Sequence, residues 1–300
     1  MEGRMSAEAP HYRYPEAIVE TDWLVTNLDD PTLRIFDCTT HLIYTPEGSS
    51  DPYTVKSGRE DYEAGHIPGA DFLDLQGELS VQDSPYRFTL PPAVQFADAM
   101  SRHGVGDGVR VILYSTGNAQ WATRIWWMLR AFGFDNAAVL NGGWQKWQAD
   151  GNPVSTSPAS YPAATFNPQP RPDLFVGKDA VLAAIDDSHT CTINALGEAL
   201  HKGDDKRYGR PGRVPGSVNI PAASLLDPET NRLLEPAAAA KHFADAGSDK
   251  AERIITYCGG GIAATLDAFL LHQLGYKHIA VYDDSMSEWA KDESLPIETG

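Results

Sequence analysis

Short apolar runs alternate along this chain with longer segments of helical period. Residues 33–37, 109–114, 191–195 and 253–257 are compact, largely apolar runs with turn-forming neighbours, a pattern that reads as short buried strands. Residues 121–132 follow a helical pattern that stops at Gly133. Residues 263–274 repeat it, with Leu266, Phe269, Leu270 and Leu274 at helical spacing and Gly275 just beyond. Glycine past the last periodic residue is a common helix terminator. Each helix is followed by another apolar run, 137–140 and 278–282, and each unit ends near a tryptophan, Trp147 and Trp289. Strands alternating with helices predict a parallel sheet covered on both faces.

The pattern occurs twice. Val109-Arg110-Val111-Ile112-Leu113-Tyr114-Ser115 matches Glu252-Arg253-Ile254-Ile255-Thr256-Tyr257-Cys258. Upstream, Gly65-His66-Ile67-Pro68-Gly69-Ala70 parallels Gly212-Arg213-Val214-Pro215-Gly216-Ser217. An internal repeat of this length predicts two similar α/β domains. The expected organisation is a loose tail over 1–15, a first domain over 16–154, a linker over 155–173 and a second domain over 174–300. The linker carries Pro158, Pro162, Pro168, Pro170 and Pro172, which favour extended backbone and exclude a helix.

Composition narrows the function classes. Three hundred residues, 42% hydrophobic, suffice for two ordinary cores. The chain has no apolar stretch long enough for a membrane span and no apolar signal region near its first residues. The formal net charge is −17, which opposes binding to nucleic acid or to an anionic membrane. An anionic substrate would therefore need a local cationic site. The three cysteines, Cys38, Cys191 and Cys258, are widely spaced and form no Cys-x-x-Cys. They indicate neither a disulfide framework nor a zinc site, and a reducing cytoplasm is the expected compartment.

The chemistry points to Cys258. A strand ends in this thiol, Gly259-Gly260-Gly261 follow, and a helix begins after Ile262 and Ala263. Three glycines remove the Cβ atoms that would keep backbone N–H groups from converging. The helix N-terminus adds partial positive charge. Together these favour a thiolate and would hold a negatively charged sulfur adduct. The plain alternative is a buried cysteine before a flexible turn. In the first repeat Ser115 occupies the equivalent position, and serine without a nearby base is a poor nucleophile. The first domain is therefore expected to be non-catalytic, forming one wall of a cleft.

With these residues in hand, the chain resembles the tandem-domain rhodanese sulfurtransferases from about Ile18 to Thr299. The resemblance rests on the duplication, on the paired boundary motifs, on the helix segment Arg124-Ile125-Trp126-Trp127-Met128-Leu129-Arg130, and on the six-residue loop from Cys258 to Ala263. It implies an α/β fold of two tandem rhodanese-like domains, each a small parallel sheet with helices on both faces. It also implies a persulfide relay. Cys258 would take the outer sulfur of a small anionic donor, with thiosulfate favoured and 3-mercaptopyruvate the alternative. Gly259, Gly260, Gly261, Ile262 and Ala263 would cradle the persulfide. A thiophilic acceptor, cyanide or a thiol, would then remove the sulfur. No metal or organic cofactor is implied.

Several positions depart from that pattern. Thiosulfate-using relatives often have basic residues after the cysteine, where this chain has Gly259 and Gly260. Mercaptopyruvate-using relatives usually have a small neutral loop. The family's Asp-x-Arg is Asn194-Ala195-Leu196 here, so a substrate-holding arginine is missing. Gln76 and Phe88 fall near places where mercaptopyruvate enzymes have an acid and a histidine. Asp283-Asp284-Ser285-Met286 replaces Asp-Gly-Ser-Trp, leaving Ser285 to point a hydroxyl toward the sulfur. The missing cation is expected from Arg207, Arg210 or Arg213, since arginine clamps oxyanions through two parallel hydrogen bonds. Two other classes compete. A cysteine phosphatase would need an arginine where Ala264 stands. A non-catalytic binding module would have no need of the intact loop.

Overall fold

The computed structural model describes residues 10–46, 49 and 51–300. Of the expected tail, residues 1–9 lie outside the described residues. Tyr12 and Arg13 are docked on the C-terminal half: the Tyr12 hydroxyl donates to the Leu234 carbonyl, and the Arg13 N–H donates to the Gln273 carbonyl at 2.7 Å.

The N-terminal half runs β1 (Ile18–Val19), α1 (Thr21–Thr26), β2 (Leu33–Asp37), β3 (Thr40–Tyr44), β4 (Tyr53–Ser57), α2 (Arg59–Ala64), β5 (Asp71–Phe72), α3 (Ala93–Arg102), β6 (Arg110–Tyr114), α4 (Gln120–Ala131), β7 (Ala137–Leu140) and α5 (Gly143–Ala149). The C-terminal half runs β8 (Phe175–Val176), α6 (Lys178–Ala184), β9 (Thr190–Asn194), α7 (Glu198–Lys202), β10 (Val218–Asn219), α8 (Pro236–Asp245), β11 (Arg253–Tyr257), α9 (Ala264–Gln273), β12 (Ile279–Tyr282) and α10 (Ser285–Trp289). The first parallel sheet has the order β1-β7-β6-β2-β5, and the second has β8-β12-β11-β9-β10. These are the same arrangement, as the repeated sequence requires.

The duplication extends to individual hydrogen bonds. The Tyr114 hydroxyl accepts the Ile67 N–H at 3.3 Å, and the Tyr257 hydroxyl accepts the Val214 N–H at 3.1 Å. The Trp147 indole donates to the Pro153 carbonyl, and the Trp289 indole to the Pro296 carbonyl. Both boundary motifs are therefore pinned to the end of their own central strand.

Alternation along each strand sets the layers. In β6, Val111 and Leu113 face a core that continues into the other half, whereas Ile112 and Tyr114 face a smaller cluster with Leu24, Ile67 and Trp147. Helices α4 and α9 pack against one another between the two sheets. Trp126 meets Phe269 edge-on at 4.8 Å, and the Thr123 and Thr265 hydroxyls share a 3.0 Å hydrogen bond. Every residue of α9 is buried, so it has no polar face, unlike a surface helix. The helical stripe expected from Leu266, Phe269, Leu270 and Leu274 is thus only part of its packed surface. Burial also pushes the Asp267 carboxyl well above its ordinary range.

The expected linker over 155–173 lies on the N-terminal half and is free of helix up to Arg171, but its end enters a short 3-10 helix, Pro172–Leu174, because proline is tolerated in a first helical turn. Ser155 pairs with His66, the Tyr161 hydroxyl donates to the Gly69 carbonyl at 2.7 Å, and Phe166 packs edge-on against Phe96. Among the described residues no helix is long and apolar enough to cross a membrane.

Among the elements to which the sequence pattern did not lead is the antiparallel pair β3–β4. It stands outside both parallel sheets and brings Tyr53 against the loop of the other half.

Candidate active site

Strand β11 delivers Cys258 to the interface between the halves, where it is only 2% exposed. Its register is fixed by parallel pairing with β9 on one side and β12 on the other. The chain then turns through the three glycines into α9. Gly261 has φ +70°, where a side chain would be strained, and a Cβ there would also overlap the Asp283 carbonyl. A Cβ on Gly259 would overlap the Tyr208 hydroxyl, and one on Gly260 would lie 3.0 Å from the Tyr53 hydroxyl oxygen. All three glycines are therefore needed for close approach.

Ser285 holds the back of this loop. Its hydroxyl oxygen accepts the N–H groups of Cys258 at 3.1 Å and Gly261 at 3.2 Å, and donates to the Tyr282 carbonyl at 2.7 Å. Ser285 itself has φ +49° and is fully buried. Its hydroxyl is thus committed to the loop backbone, where the sequence led one to expect it turned toward the sulfur. Ser287 adds a second tie, with its N–H and hydroxyl both donating to the Gly259 carbonyl, at 2.8 and 2.7 Å. Among the described residues, the N–H groups of Gly259, Gly260, Ile262 and Ala263 meet no protein acceptor. These are donors left for an anion at the Cys258 sulfur, at the positively polarised end of α9.

The N-terminal half closes the site. Arg124 of α4 is fully buried. Its guanidinium donates to the Gly261 carbonyl at 3.0 Å, to the Phe88 carbonyl at 2.7 Å and to the Asp283 carboxylate at 2.7 Å, and it lies over the Phe175 ring. Asp283 also accepts the Leu90 N–H at 2.7 Å. The neighbouring Asp284 accepts the Thr89 hydroxyl at 2.7 Å. Burial first, and then the charge of Asp283, raise the Asp284 carboxyl to about 6. Phe88 has φ +66°, and its N–H is taken by the Gln76 side-chain oxygen at 3.2 Å. The two positions that depart from the mercaptopyruvate pattern are therefore partnered with each other.

Tyr53 and Tyr208 cover the sulfur side, with ring centroids 6.5 Å apart. Burial pushes both hydroxyls above the ordinary tyrosine range, with Cys258 adding to it at Tyr53, and Tyr53 and then Cys258 adding to it at Tyr208. Both keep their protons at physiological pH and remain hydrogen-bond donors.

The three expected arginines are not brought together. Arg207 pairs with Asp205 at 2.8 Å, lies over the Tyr44 ring and borders an open cavity of about 830 Å³. Arg210 donates to the carbonyls of Ala290, Leu295, Trp289 and Asp292, which ties α10 and the segment after it. Arg213 binds the Glu298 carboxylate and the carbonyls of Gly300 and His201. Ser115, the counterpart of Cys258, donates its hydroxyl to the Asn118 carbonyl at 3.0 Å. Among the described residues no group of three or more His, Cys, Asp or Glu could hold a metal ion.

Sequence reasoning missed Tyr53, Tyr208, Ser287 and Arg124. For Arg124 a signal existed, since a charged residue stands within the apolar run Trp121–Phe132, and such residues need a buried partner.

Comparison with known proteins agrees with this geometry. The Rhodanese-like domain family matches residues 20–150 and 202–292. The chain is 32% identical to the 3-mercaptopyruvate sulfurtransferase of Escherichia coli (strain K12) over 283 residues, covering 93% of this chain and 97% of that one. It is 28% identical to the thiosulfate sulfurtransferase of Rattus norvegicus, covering 91% of each. The solved structure of an Escherichia coli 3-mercaptopyruvate sulfotransferase superposes with a TM-score of 0.76 at 30% identity, covering 90% of this chain and 98% of the other.

Proposed function

Since the chain belongs to the tandem rhodanese family of sulfurtransferases, we propose that Cys258 is its sulfur-carrying nucleophile and that thiosulfate is its favoured donor. The Cys258 thiolate attacks the outer sulfur of thiosulfate. A new S–S bond forms, the old one breaks, and its electron pair leaves with sulfite. Cyanide or a thiol then attacks the outer sulfur of the Cys258 persulfide. Cyanide departs as thiocyanate and the thiolate returns, so ping-pong kinetics are expected.

The observation that carries this reading is the set of unpartnered N–H groups around Cys258, at Gly259, Gly260, Ile262 and Ala263. Fixed donors need no reorganisation when charge moves to the outer sulfur. The Tyr53 and Tyr208 hydroxyls can donate to the same anion. Of the three expected arginines, Arg207 borders the cavity of about 830 Å³ and Arg210 one of only about 10 Å³.

The choice of donor rests on proton demand. 3-Mercaptopyruvate would leave as an enolate and require an acid, whereas sulfite leaves without one. The tyrosines that face Cys258 hold their protons tightly, and Gln76 and Phe88 provide no acid. 3-Mercaptopyruvate remains the second reading, because the loop after Cys258 is neutral and a relative of 32% identity bears that activity in its name. A reducing compartment such as the cytoplasm suits a chain whose three cysteines are all free.

Thiocyanate formation from cyanide, with each donor in parallel, tests the proposal. Wild-type turnover with thiosulfate that disappears in Cys258→Ser is expected. Turnover with 3-mercaptopyruvate alone would replace the donor, and turnover that persists in Cys258→Ser would remove the nucleophile.

A further inference from the structure

A second cavity, of about 170 Å³, lies beside Tyr53 and shares Asp51, Pro52 and Lys291 with the cavity that Arg207 borders. Its walls include Asp51 and Tyr53 from the N-terminal hairpin, Arg87 from the segment before Phe88, and Ser287 and Lys291 from the C-terminal half. Two of these walls also touch the Cys258 loop. Ser287 donates to the Gly259 carbonyl at 2.7 Å, and the Tyr53 hydroxyl packs on Gly260. The Arg87 carbonyl would lie 3.7 Å from a Cβ on Gly260. The cavity therefore adjoins the loop through Tyr53, Arg87 and Ser287.

Two cations border it in an acidic protein. The net charge is −17, and Arg124, Arg130, Arg171, Arg207, Arg213 and Arg232 all face carboxylates. Arg87 is exposed and faces none among the described residues; other arginines, such as Arg59 and Arg102, share this, but Arg87 borders the cavity. Lys291 has only a loose partner, Asp51 at 3.6 Å, and is 38% exposed. Two cations, one from each half, thus border a small space beside the reactive loop.

We propose that Arg87 and Lys291 bind the oxygens of a small oxyanionic sulfur donor and stand in for the arginine absent at Leu196. This rests on the reading of Cys258 as the sulfur-carrying nucleophile. The guanidinium fork matches two sulfonate or carboxylate oxygens, and the lysine supplies a second point charge. Arg207 is a weaker choice, because Asp205 already neutralises it. Asp51 competes with the donor for Lys291, so its removal has the opposite sign.

The test uses the whole chain. With thiosulfate and cyanide at low ionic strength, Arg87→Gln is expected to raise the KM for thiosulfate roughly tenfold. Lys291→Gln should raise it about threefold, and Asp51→Asn should lower it. The KM for cyanide should stay within about twofold in all three, because that anion carries no oxygens for the fork. A second readout needs no sulfur transfer. The rate of Cys258 alkylation by iodoacetate, relative to neutral iodoacetamide, should fall about fivefold in Arg87→Gln. Unchanged KM and an unchanged alkylation ratio in both Gln variants would overturn the anion site and leave the Cys258 reading intact. A reduced ratio in a protein that never turns over thiosulfate would support the site and reject the donor.

Discussion

Arg124, in the half that does not carry Cys258, donates a 3.0 Å hydrogen bond to the carbonyl of Gly261 in the loop after Cys258. The same guanidinium binds Asp283 and the Phe88 carbonyl, so one buried side chain joins the segment before α3, the Cys258 loop and the end of β12. The N-terminal half thus helps to hold the loop after Cys258.

Arg124→Ala leaves the partly buried Asp283 without its cation, and breaking a fully buried pair costs about 3–5 kcal/mol, so a loss toward the lower end is expected. A markedly lower Tm is expected. Arg124→Lys keeps the charge but cannot reach three acceptors with one planar fork. Its Tm should recover in part while kcat stays low. If the lysine variant regained full kcat, loop positioning by Arg124 would be wrong.

Gly259 has no room for a side chain, because a Cβ would meet the Tyr208 hydroxyl and ring. Tyr208 is buried and cannot swing into solvent. Gly259→Ala is expected to displace the loop and lower kcat about a hundredfold. Adding Tyr208→Ala should recover part of that loss. Steady-state assays of the single and double variants decide the matter, and no recovery in the pair would count against the steric account.

Ser285→Ala removes the acceptor of two buried N–H groups, Cys258 and Gly261. Each orphaned donor costs about 1–3 kcal/mol, so denaturant unfolding should show a loss of about 2–4 kcal/mol. Ser285→Gly loses the same bonds but relieves the φ of +49°. It should be less damaging than alanine by about 1 kcal/mol. A glycine variant worse than the alanine one would contradict the strain argument.

Asp284 carries a pH dependence. Its carboxyl is raised from 3.8 to about 6 in the folded chain, so ionisation is harder folded than unfolded. The stability it lends is fully present below pH 3.8 and is lost as pH rises through about 6. Asp284→Asn keeps an oxygen for the Thr89 hydroxyl and removes the titration. The variant should melt higher than the parent at pH 7, with the gap closing toward pH 4. Parallel melting curves with a constant gap from pH 4 to 7 would rule this out.

The amino-acid sequence by itself determined the repeat, the central strands and the loop. Leu33–Asp37, Arg253–Tyr257 and Ala137–Leu140 form strands where their apolar runs lie. Helix α4 stops before Gly133 and α9 before Gly275, both at positive φ. Cys258 ends its strand and opens a glycine loop. All of these are local properties, set by side-chain pattern and by backbone freedom at glycine, so neighbouring residues suffice to read them. The tertiary structure alone decided what surrounds the sulfur. Tyr53, Phe88 and Arg124 come from the other half, and Tyr208 and Ser287 from a turn and from α10 of the same half. It also decided that Arg210 and Arg213 spend their donors on carbonyls and Glu298, and that Arg87 is left without a carboxylate. Such contacts depend on how two separately patterned sheets dock through α4 and α9. A charge that is buried, paired or free after docking looks the same beforehand in the chain, because its partner lies far away in sequence and leaves no periodic mark.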